Sequence, residues 1–219
     1  MIELLNMDCM EYMETLPDKA FSLAVVDPPY GLGDRLSDGG GKLKDREYIR
    51  QYKENKFDHA TPDASYFEEL RRVSENQIIW GGNYFDLPPT RGIICWDKEQ
   101  SMPTFSKWEM GWTSFDCTAE IVRIRSQGAG LRIHPTQKPV ALYEWLLANY
   151  AKQGQRILDT HLGSGSSAIA AYNLGFDFVG TELDKNYYDA SVKRFEQHKA
   201  QGSLFEPSMV IPKQDDFLK

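Results

Sequence analysis

The sequence predicts a single α/β domain in which a parallel sheet is covered by helices. Short runs of β-forming residues alternate along the chain with stretches in which apolar residues recur at helical spacing. The chain has 219 residues, of which 41% are hydrophobic, and can therefore bury one substantial core. One apolar run leads through a glycine-rich turn into a run of small residues, the order found in nucleotide-binding sheets. Together these observations favour a Rossmann-like, doubly wound sheet.

The same patterns predict the individual elements. Seven strands are expected, at Ile2–Leu5, Phe21–Val26, Gln77–Gly81, Gly92–Asp97, Glu120–Arg125, Arg156–Asp159 and Phe178–Thr181. Helices are expected at Asp63–Val73, Val140–Lys152, Ser166–Leu174 and Lys185–Lys199. Asp184 is a natural N-cap for the last helix. We expect one domain over residues 1–199 with a mobile insertion at about 31–61, and a tail at 200–219.

Composition limits the classes of function. The formal net charge of −7 argues mildly against a protein that coats nucleic acid, although basic residues cluster at 42–56 and 123–138. A solvated helix face explains either cluster equally well. The three cysteines are widely spaced and suggest neither a disulfide framework nor a zinc pair, so no metal is expected. No apolar run could span a bilayer and no secretory signal is recognisable, which favours the cytoplasm.

A glycine-rich turn indicates a cofactor site. The strand that ends at Asp159 leads into a turn of small residues, Gly163, Ser164 and Gly165, and a helix begins near Ser166. Glycines let the backbone approach a ligand closely, and a helix start offers free N–H donors. Glu182 ends the next strand, where its carboxylate can accept hydrogen bonds from ribose hydroxyls. S-adenosylmethionine satisfies this geometry without being a dinucleotide; a bland strand-to-helix connection is the alternative.

A second motif follows another apolar strand and consists of Asp27, Pro28, Pro29 and Tyr30. Open α/β sheets bind their ligands at this end of a strand. Proline fixes φ and lacks an N–H group, so the Pro28 carbonyl can face a pocket. That carbonyl and the Asp27 carboxylate would accept the N–H groups of an amine that attacks a sulfonium methyl, while Tyr30 stacks on a base. A proline-rich turn or a polyproline ligand is the alternative.

Three motifs in this order resemble the β group of DNA amino-methyltransferases. They are the tetrapeptide 27–30 (DPPY), the segment 134–139 (HPTQKP) and the segment 159–165 (DTHLGSG). The resemblance runs from Ile2 to about Phe195 and implies a seven-stranded methyltransferase sheet, circularly permuted so that the catalytic half precedes the cofactor half. It also implies S-adenosylmethionine as cofactor, DNA as substrate, and direct in-line transfer to a base that is flipped out or already single-stranded.

The resemblance assigns roles by position. The base would be held by the tetrapeptide 27–30, whose Asp27 would also border the cofactor. The cofactor adenine would be contacted by Asp8, its methionine end by Lys138 and Pro139, its centre by Asp159 and the turn up to Ser166, and its ribose by Glu182. The family commonly has Pro-Phe after the aspartate, where this chain has Thr160 and His161. A His161 ring that replaces Phe against the cofactor is favoured over a catalytic base.

Adenine N6 is the favoured target, because the resembling cytosine-N4 enzymes usually carry Ser at the position of Asp27. The alternatives are cytosine N4, an RNA base or protein amide as acceptor, and a catalytically inactive nucleic-acid-binding domain. Trp80, Tyr84 and Trp96 can stack on a displaced base, although core positions are commoner for such residues. Target recognition is expected from Gly31–Thr61 and Lys98–Cys117. The segment Gln201–Phe205 resembles the peptide that engages the sliding clamp, with folding back onto the domain as the favoured alternative.

Overall fold

The structure, a computed structural model, describes residues 1–33, 58, 60–101, 106–126 and 132–202. The first half of this part contains β1 (Ile2–Leu5), α1 (Cys9–Glu14), β2 (Phe21–Val26), α2 (Ala64–Val73), β3 (Ser74–Trp80), a 3₁₀ helix (Gly82–Tyr84), β4 (Ile93–Asp97), β5 (Trp108–Thr113) and β6 (Glu120–Arg123). The second half contains α3 (Val140–Tyr150), β7 (Arg156–Asp159), α4 (Ser166–Leu174), β8 (Asp177–Thr181) and α5 (Lys185–Gly202).

All strands of the described residues belong to one eight-stranded sheet with the order β1-β8-β7-β2-β3-β5-β4-β6. β5 is antiparallel to β3 and β4, and the other neighbours are parallel. The expected α/β fold is therefore confirmed, but the expected number of seven strands is wrong. The circular permutation stays a prediction.

The additional strand is β5, whose sequence WEMGWT alternates Trp, Met and Trp with Glu, Gly and Thr but carries a glycine in mid-strand. Its Gly111 pairs with Trp80 and Ile94, and a Cβ at Gly111 would lie 3.4 Å from the Trp80 ring. Glycine in the interior of a strand weakens the strand pattern. The strand thus depends on tertiary packing that the local sequence does not indicate.

The central strands bring the two predicted motifs to the same edge of the sheet. β2 and β7 are parallel neighbours, with Leu23 opposite Ile157 and Ala24 opposite Leu158. Since parallel strands end at the same edge, the tetrapeptide after β2 and the loop after β7 emerge side by side. The sheet therefore joins two sequence motifs that are far apart in the chain.

Helices cover both faces of this sheet. α3 and α4 pack on one face, where Val25 of β2 contributes to the core, and α1 and α2 pack on the other, which receives Ala24 and Val26. Within the described ranges, no helix is long and apolar enough to cross a membrane. The three cysteines carry free thiols.

Side-chain caps explain several helix starts. Asp184 accepts hydrogen bonds from the amides of Asn186 and Tyr187 at 2.8 and 3.1 Å, which confirms it as the N-cap of α5. Asp63 caps α2 in the same way. The short helix α1 was not expected from the sequence, and its N-cap is Asp8. A six-residue helix is too short to show a clear apolar period.

Candidate active site

A cavity of about 640 Å³ opens where the loops after β2, β7 and β8 meet. Its walls include the tetrapeptide 27–30, the segment 136–138, the turn residues Gly163 and Ser164, and Glu182. The sequence prediction required Asp27 and Gly163 to face one cavity, and the fold brings them there. Three of the predicted site residues do not line this cavity: Pro139, Asp159 and Gly165.

At one end of the cavity, here called the base end, both oxygens of the Asp27 carboxylate have partners. The Tyr30 hydroxyl donates to Oδ1 at 2.5 Å, and Lys138 Nζ lies 2.5 Å from Oδ2. Burial raises the pKa of Asp27, while the Lys138 ammonium opposes that shift. Each oxygen keeps a second lone pair, so the carboxylate can accept a further N–H group.

The Tyr30 ring is held in place by its neighbours. It stacks on Tyr84 with a centroid distance of 4.9 Å and an interplanar angle of 14°, and Phe85 meets its edge. Gly81 has φ of 70°, and a Cβ at this position would lie 2.2 Å from a Tyr30 ring carbon. Only glycine therefore allows the chain to turn at the end of β3 while the ring occupies this space.

Lys138 is a buried cation with two carboxylate partners. Its side chain is 3% exposed, and Nζ lies 3.1 Å from Glu109 Oε2 in addition to its contact with Asp27. Burial lowers the pKa of Lys138, but the two carboxylates outweigh that effect and the pKa lies above its usual value. Glu109 in turn contacts Lys98 Nζ at 2.5 Å. Four charges of alternating sign therefore lead away from the cavity.

Glu109 was missed by the sequence analysis because β5 was missed. The residue lies on that strand and contacts Lys138, which is 29 residues further along the chain. A lone glutamate between methionine and tryptophan has no recognisable motif. A correct prediction of β5 and its pairing would have been the necessary signal.

Asp58 connects the tetrapeptide to a distant part of the chain. Its buried carboxylate accepts the amides of Gly31 at 2.9 Å and Leu32 at 3.3 Å, and its carbonyl accepts the amide of Gly33 at 2.8 Å. Asp58 also lines the cavity, although the sequence analysis had not selected it. Residues 34–57 and 59, which include most of the predicted insertion, lie outside the described residues.

At the other end of the cavity, here called the turn end, Glu182 organises the backbone. Its Oε2 accepts the amide of Gly163 at 2.8 Å, and its Oε1 accepts the amide of Asp184 at 3.0 Å. Gly163 has φ of 51°, which is in the left-handed region that favours glycine. Burial raises the pKa of Glu182. The carboxylate thus faces the cavity while it orders the turn.

Asp159 lies beneath the turn and is almost fully buried. Its two oxygens accept the Ser167 hydroxyl at 2.6 Å and the His161 amide at 3.0 Å. Burial raises its pKa to about 7. Gly165 and Pro139 are likewise behind the cavity wall, as the N-caps of α4 and α3. These residues shape the loops rather than contact the space between them.

A second set of contacts ties the turn to Lys138. The Ser166 hydroxyl donates to the Lys138 carbonyl at 2.8 Å. Arg194 of α5 donates to the Ser164 carbonyl at 2.7 Å and to Ser166 Oγ at 2.9 Å. Lys138 therefore touches the turn with its main chain and Asp27 with its side chain.

His161 is a buried, neutral ring at the turn end. Thr160 Oγ1 lies 2.9 Å from its Nδ1, and Tyr66 meets it edge to face at 5.4 Å. Burial lowers its pKa to about 4, so the ring is unprotonated and only weakly basic near pH 7. This packing favours the replacement of an aromatic ring over a catalytic base.

Asp8 lines the cavity but also has a structural task. As the N-cap of α1, its Oδ1 accepts the Met10 amide at 2.7 Å and the Glu11 amide at 3.4 Å.

The three aromatic residues that could stack on a displaced base differ in burial. Trp80 and Trp96 are core residues, whereas Tyr84 is 44% exposed beside Tyr30.

The sequence also matches a known family. A family model described as DNA methylase, of the N6/N4 type, matches residues 79–193, slightly more than half of the chain. The chain belongs to this DNA methylase family. Its members use S-adenosylmethionine and methylate exocyclic amines of DNA bases.

This methylase is also similar to individual proteins. The type II methyltransferase M.HinfI of Haemophilus influenzae is 24% identical over 254 residues, which cover 90% of this chain and 68% of the relative. The cytosine-N4-specific PvuII DNA methyltransferase has a TM-score of 0.61 at 13% identity, covering 91% of this chain and 90% of that one. M1.HpyAVI, solved with S-adenosylmethionine, has a TM-score of 0.56 at 20% identity, covering 89% and 100%.

The cavity of the methylase fits this cofactor. Its volume of about 640 Å³ lies in the usual range for small-molecule sites. Gly163 leaves open the space towards the His134 ring, 3.7 Å from where a Cβ would be. Glu182 presents a carboxylate to a hydroxyl-bearing ligand, and Asp8 adds a second acidic group. The chemistry of these residues suits a cationic nucleoside.

Proposed function

We propose that this DNA methylase transfers the methyl group of S-adenosylmethionine to N6 of adenine, with Asp27, Pro28, Pro29 and Tyr30 around the base. The observation that carries the proposal is that Asp27 and the Gly163 turn border one cavity. A transfer reaction requires donor and acceptor to be held within reach of each other. Adenine is favoured because the resembling cytosine-N4 enzymes usually have Ser where this chain has Asp27.

The remaining roles belong to the same proposal. Glu182 would accept the ribose hydroxyls, Gly163, Ser164 and Ser166 would border the centre of the cofactor, and Asp8 its adenine. His161 would pack against the cofactor as a neutral ring. Lys138 would act between the two ends, because its carbonyl contacts Ser166 and its ammonium contacts Asp27.

The chemistry follows from the acceptors at the base end. Bound S-adenosylmethionine supplies an electrophilic methyl group on its sulfonium. The Asp27 carboxylate accepts one N–H of the exocyclic amine. This hydrogen bond keeps the lone pair of the amine nitrogen directed into the cavity. The amine loses a proton once the new N–C bond has formed, and Asp27 is the nearest carboxylate at this end. The side chains of Asp27 and Lys138 are largely buried, which limits competition from water for these hydrogen bonds.

Access to the amine requires a base outside the stack, either flipped out of a duplex or in a single strand. Tyr84 is partly exposed beside Tyr30 and offers a ring on which the displaced base can stack. The predicted recognition segments are only partly visible, since residues 34–57, 59 and 102–105 lie outside the described residues. The same holds for residues 203–205 of the proposed clamp-binding peptide.

Cytosine N4 is the second candidate target. It is favoured by the fold similarity to the PvuII enzyme, which is cytosine-N4-specific. The tetrapeptide chemistry suits either amine, because both are delocalised into a base ring and both need acceptors for their N–H groups.

The test is to express the chain in cells that lack DNA methylation and to digest their DNA to nucleosides for mass spectrometry. We expect N6-methyl-2′-deoxyadenosine with the natural chain and none with the Asp27→Ala variant. Sequencing of modified bases in the same DNA would identify the target site. N4-methylcytosine instead would favour the second candidate, and no modified base with the natural chain would refute both.

A further inference from the structure

Glu109 lies at the base end, outside the three motifs, and has no role in the proposal above. It contacts two lysines, with Lys98 Nζ 2.5 Å from Oε1 and Lys138 Nζ 3.1 Å from Oε2. Lys138 Nζ therefore sits between two carboxylates, Asp27 and Glu109.

We propose that Glu109 is a positioning residue. When a base enters the cavity, Glu109 becomes the main ion-pair partner of Lys138, so that Asp27 is free to accept a hydrogen bond from the amine. This inference rests on the proposed function. In the described structure Lys138 is closer to Asp27, at 2.5 Å, than to Glu109, at 3.1 Å. A shift of Nζ by a few tenths of an ångström towards Glu109 would reverse that order.

The cost of burial explains why a second carboxylate is needed. A buried ammonium that loses its only partner is strongly destabilised. Lys138 could therefore not move away from Asp27 if its other neighbours were all apolar. Its other close neighbours are the Tyr30 hydroxyl at 3.3 Å and the face of the Trp80 ring at 5.5 Å. Glu109 is the negative charge among the described residues that can hold Lys138 after it moves.

The charges around Glu109 keep it ionised for this task. The groups that face it are Asp27 and Tyr30 after β2, Lys98 after β4, and Lys138 and Tyr143 before and within α3. Burial acts to raise the pKa of Glu109, but Lys138 and Lys98 outweigh it and the pKa lies below its usual value. Lys98 thus leaves Glu109 charged while Lys138 is shared.

The same contacts account for the proton after transfer. The N–C bond forms, the C–S bond breaks with its electron pair going to sulfur, and the amine nitrogen releases a proton to Asp27. Protonated Asp27 no longer attracts an ammonium. Lys138 remains charged because Glu109 holds it, and the pair resets when Asp27 loses the proton to water.

The experiment compares Glu109→Gln and Glu109→Asp with a matched control, Glu75→Gln, which changes an exposed glutamate of β3. Steady-state kinetics would be measured from pH 5 to 9. For Glu109→Gln we expect kcat near pH 7 to fall about tenfold to a hundredfold, while KM for S-adenosylmethionine stays within about twofold. Glu109→Asp should recover most of the loss.

The pH profile separates positioning from a merely structural role. The charge of Glu109 raises the pKa of Asp27, so its removal should move the acid limb of kcat to lower pH. A loss of kcat with an unmoved acid limb, or full activity of Glu109→Gln, would overturn the inference. If Glu109→Gln does not fold, Lys98→Gln provides the second variant, which should move the acid limb in the opposite direction.

A measurement without turnover distinguishes this inference from the proposed function. Carbon-13 spectra of aspartate-labelled protein, assigned with Asp27→Asn, would follow the titration of Asp27. We expect the midpoint of the Asp27 titration to fall in Glu109→Gln whether or not the natural chain methylates a base. Absence of methylation together with a lowered midpoint would refute the proposed function but not the role of Glu109. An unchanged midpoint would contradict the role of Glu109 whatever the activity.

Discussion

The base end and the turn end of the cavity are built in different ways. At the base end, side chains from distant segments hold one another through charges, as in the contact of Lys138 with Asp27 and Glu109. At the turn end, most contacts join a side chain to backbone within one strand-turn-helix unit or its neighbour, as with Asp159 and Glu182. A single substitution should therefore cost more at the base end than at the turn end.

The largest expected effect is the loss of Lys138. Lys138→Met would leave the Asp27 carboxylate without a cation and Glu109 with Lys98 alone, and we expect the free energy of unfolding to fall by about 3–5 kcal/mol. The matched control is Lys199→Met, which removes an exposed i,i+3 partner of Glu196 and should cost about 0.5 kcal/mol or less. Urea denaturation would measure both, and equal costs would contradict the comparison.

The next effect concerns the glycine beneath Tyr30. Gly81→Ala adds a Cβ 2.2 Å from the ring, whereas Gly175→Ala meets no atom within 4 Å although the two φ angles are 70° and 74°. The control should cost about 1–2 kcal/mol from backbone strain alone. Gly81→Ala should cost about 1–3 kcal/mol more because the ring must move, and methyl transfer should fall with it. Chemical denaturation of both variants would reveal whether the clash matters.

The turn end should show an effect on stability that depends on pH. Asp159 has a folded pKa of about 7, above its unfolded value of 3.8. Its contribution to stability is therefore full below about pH 4 and is lost as pH rises towards 7, by about 1.4 kcal/mol per pH unit. The slope should disappear in Asp159→Asn.

Unfolding of both proteins from pH 5 to 8 would measure that slope as a difference. His134 and His161, whose pKa values are lowered by burial, act in the opposite direction, but they contribute equally to both proteins. Parallel stability curves for the natural chain and Asp159→Asn would show that Asp159 is ionised throughout.

The smallest effect is expected for His161→Phe. A neutral ring packed against Tyr66 can be replaced by another ring, so methyl transfer should stay within about threefold of the natural chain. His161→Ala removes the ring and should lower activity by about tenfold. Steady-state assays would distinguish these outcomes, and loss of activity in the Phe variant would identify His161 as a base after all.

Much of the fold was predictable because its signals are local. The strands Ile2–Leu5, Phe21–Val26 and Arg156–Asp159 and the helix Ser166–Leu174 have the bounds expected from the sequence. The N-cap Asp184 was also predictable, since capping involves residues two and three positions away. α1 and β5 were not, because one is very short and the other carries Gly111 in mid-strand.

The candidate site divides along the same line. The tetrapeptide, the glycine turn and Glu182 were recognised as motifs, and each borders the cavity. Glu109, Asp58 and Arg194 were missed, because their roles depend on partners from other segments of the chain. No local pattern distinguishes such residues from ordinary surface charges.

The sequence by itself determined the elements and the chemical groups that they carry, because hydrophobic period, proline and glycine act on neighbouring residues. Only the tertiary structure decided that Lys138 connects the two ends of the cavity and that Asp159 supports the turn from below. The partners of a buried charge are set by the strand order β7-β2-β3-β5 within the sheet, and the free energy of that burial belongs to no single segment.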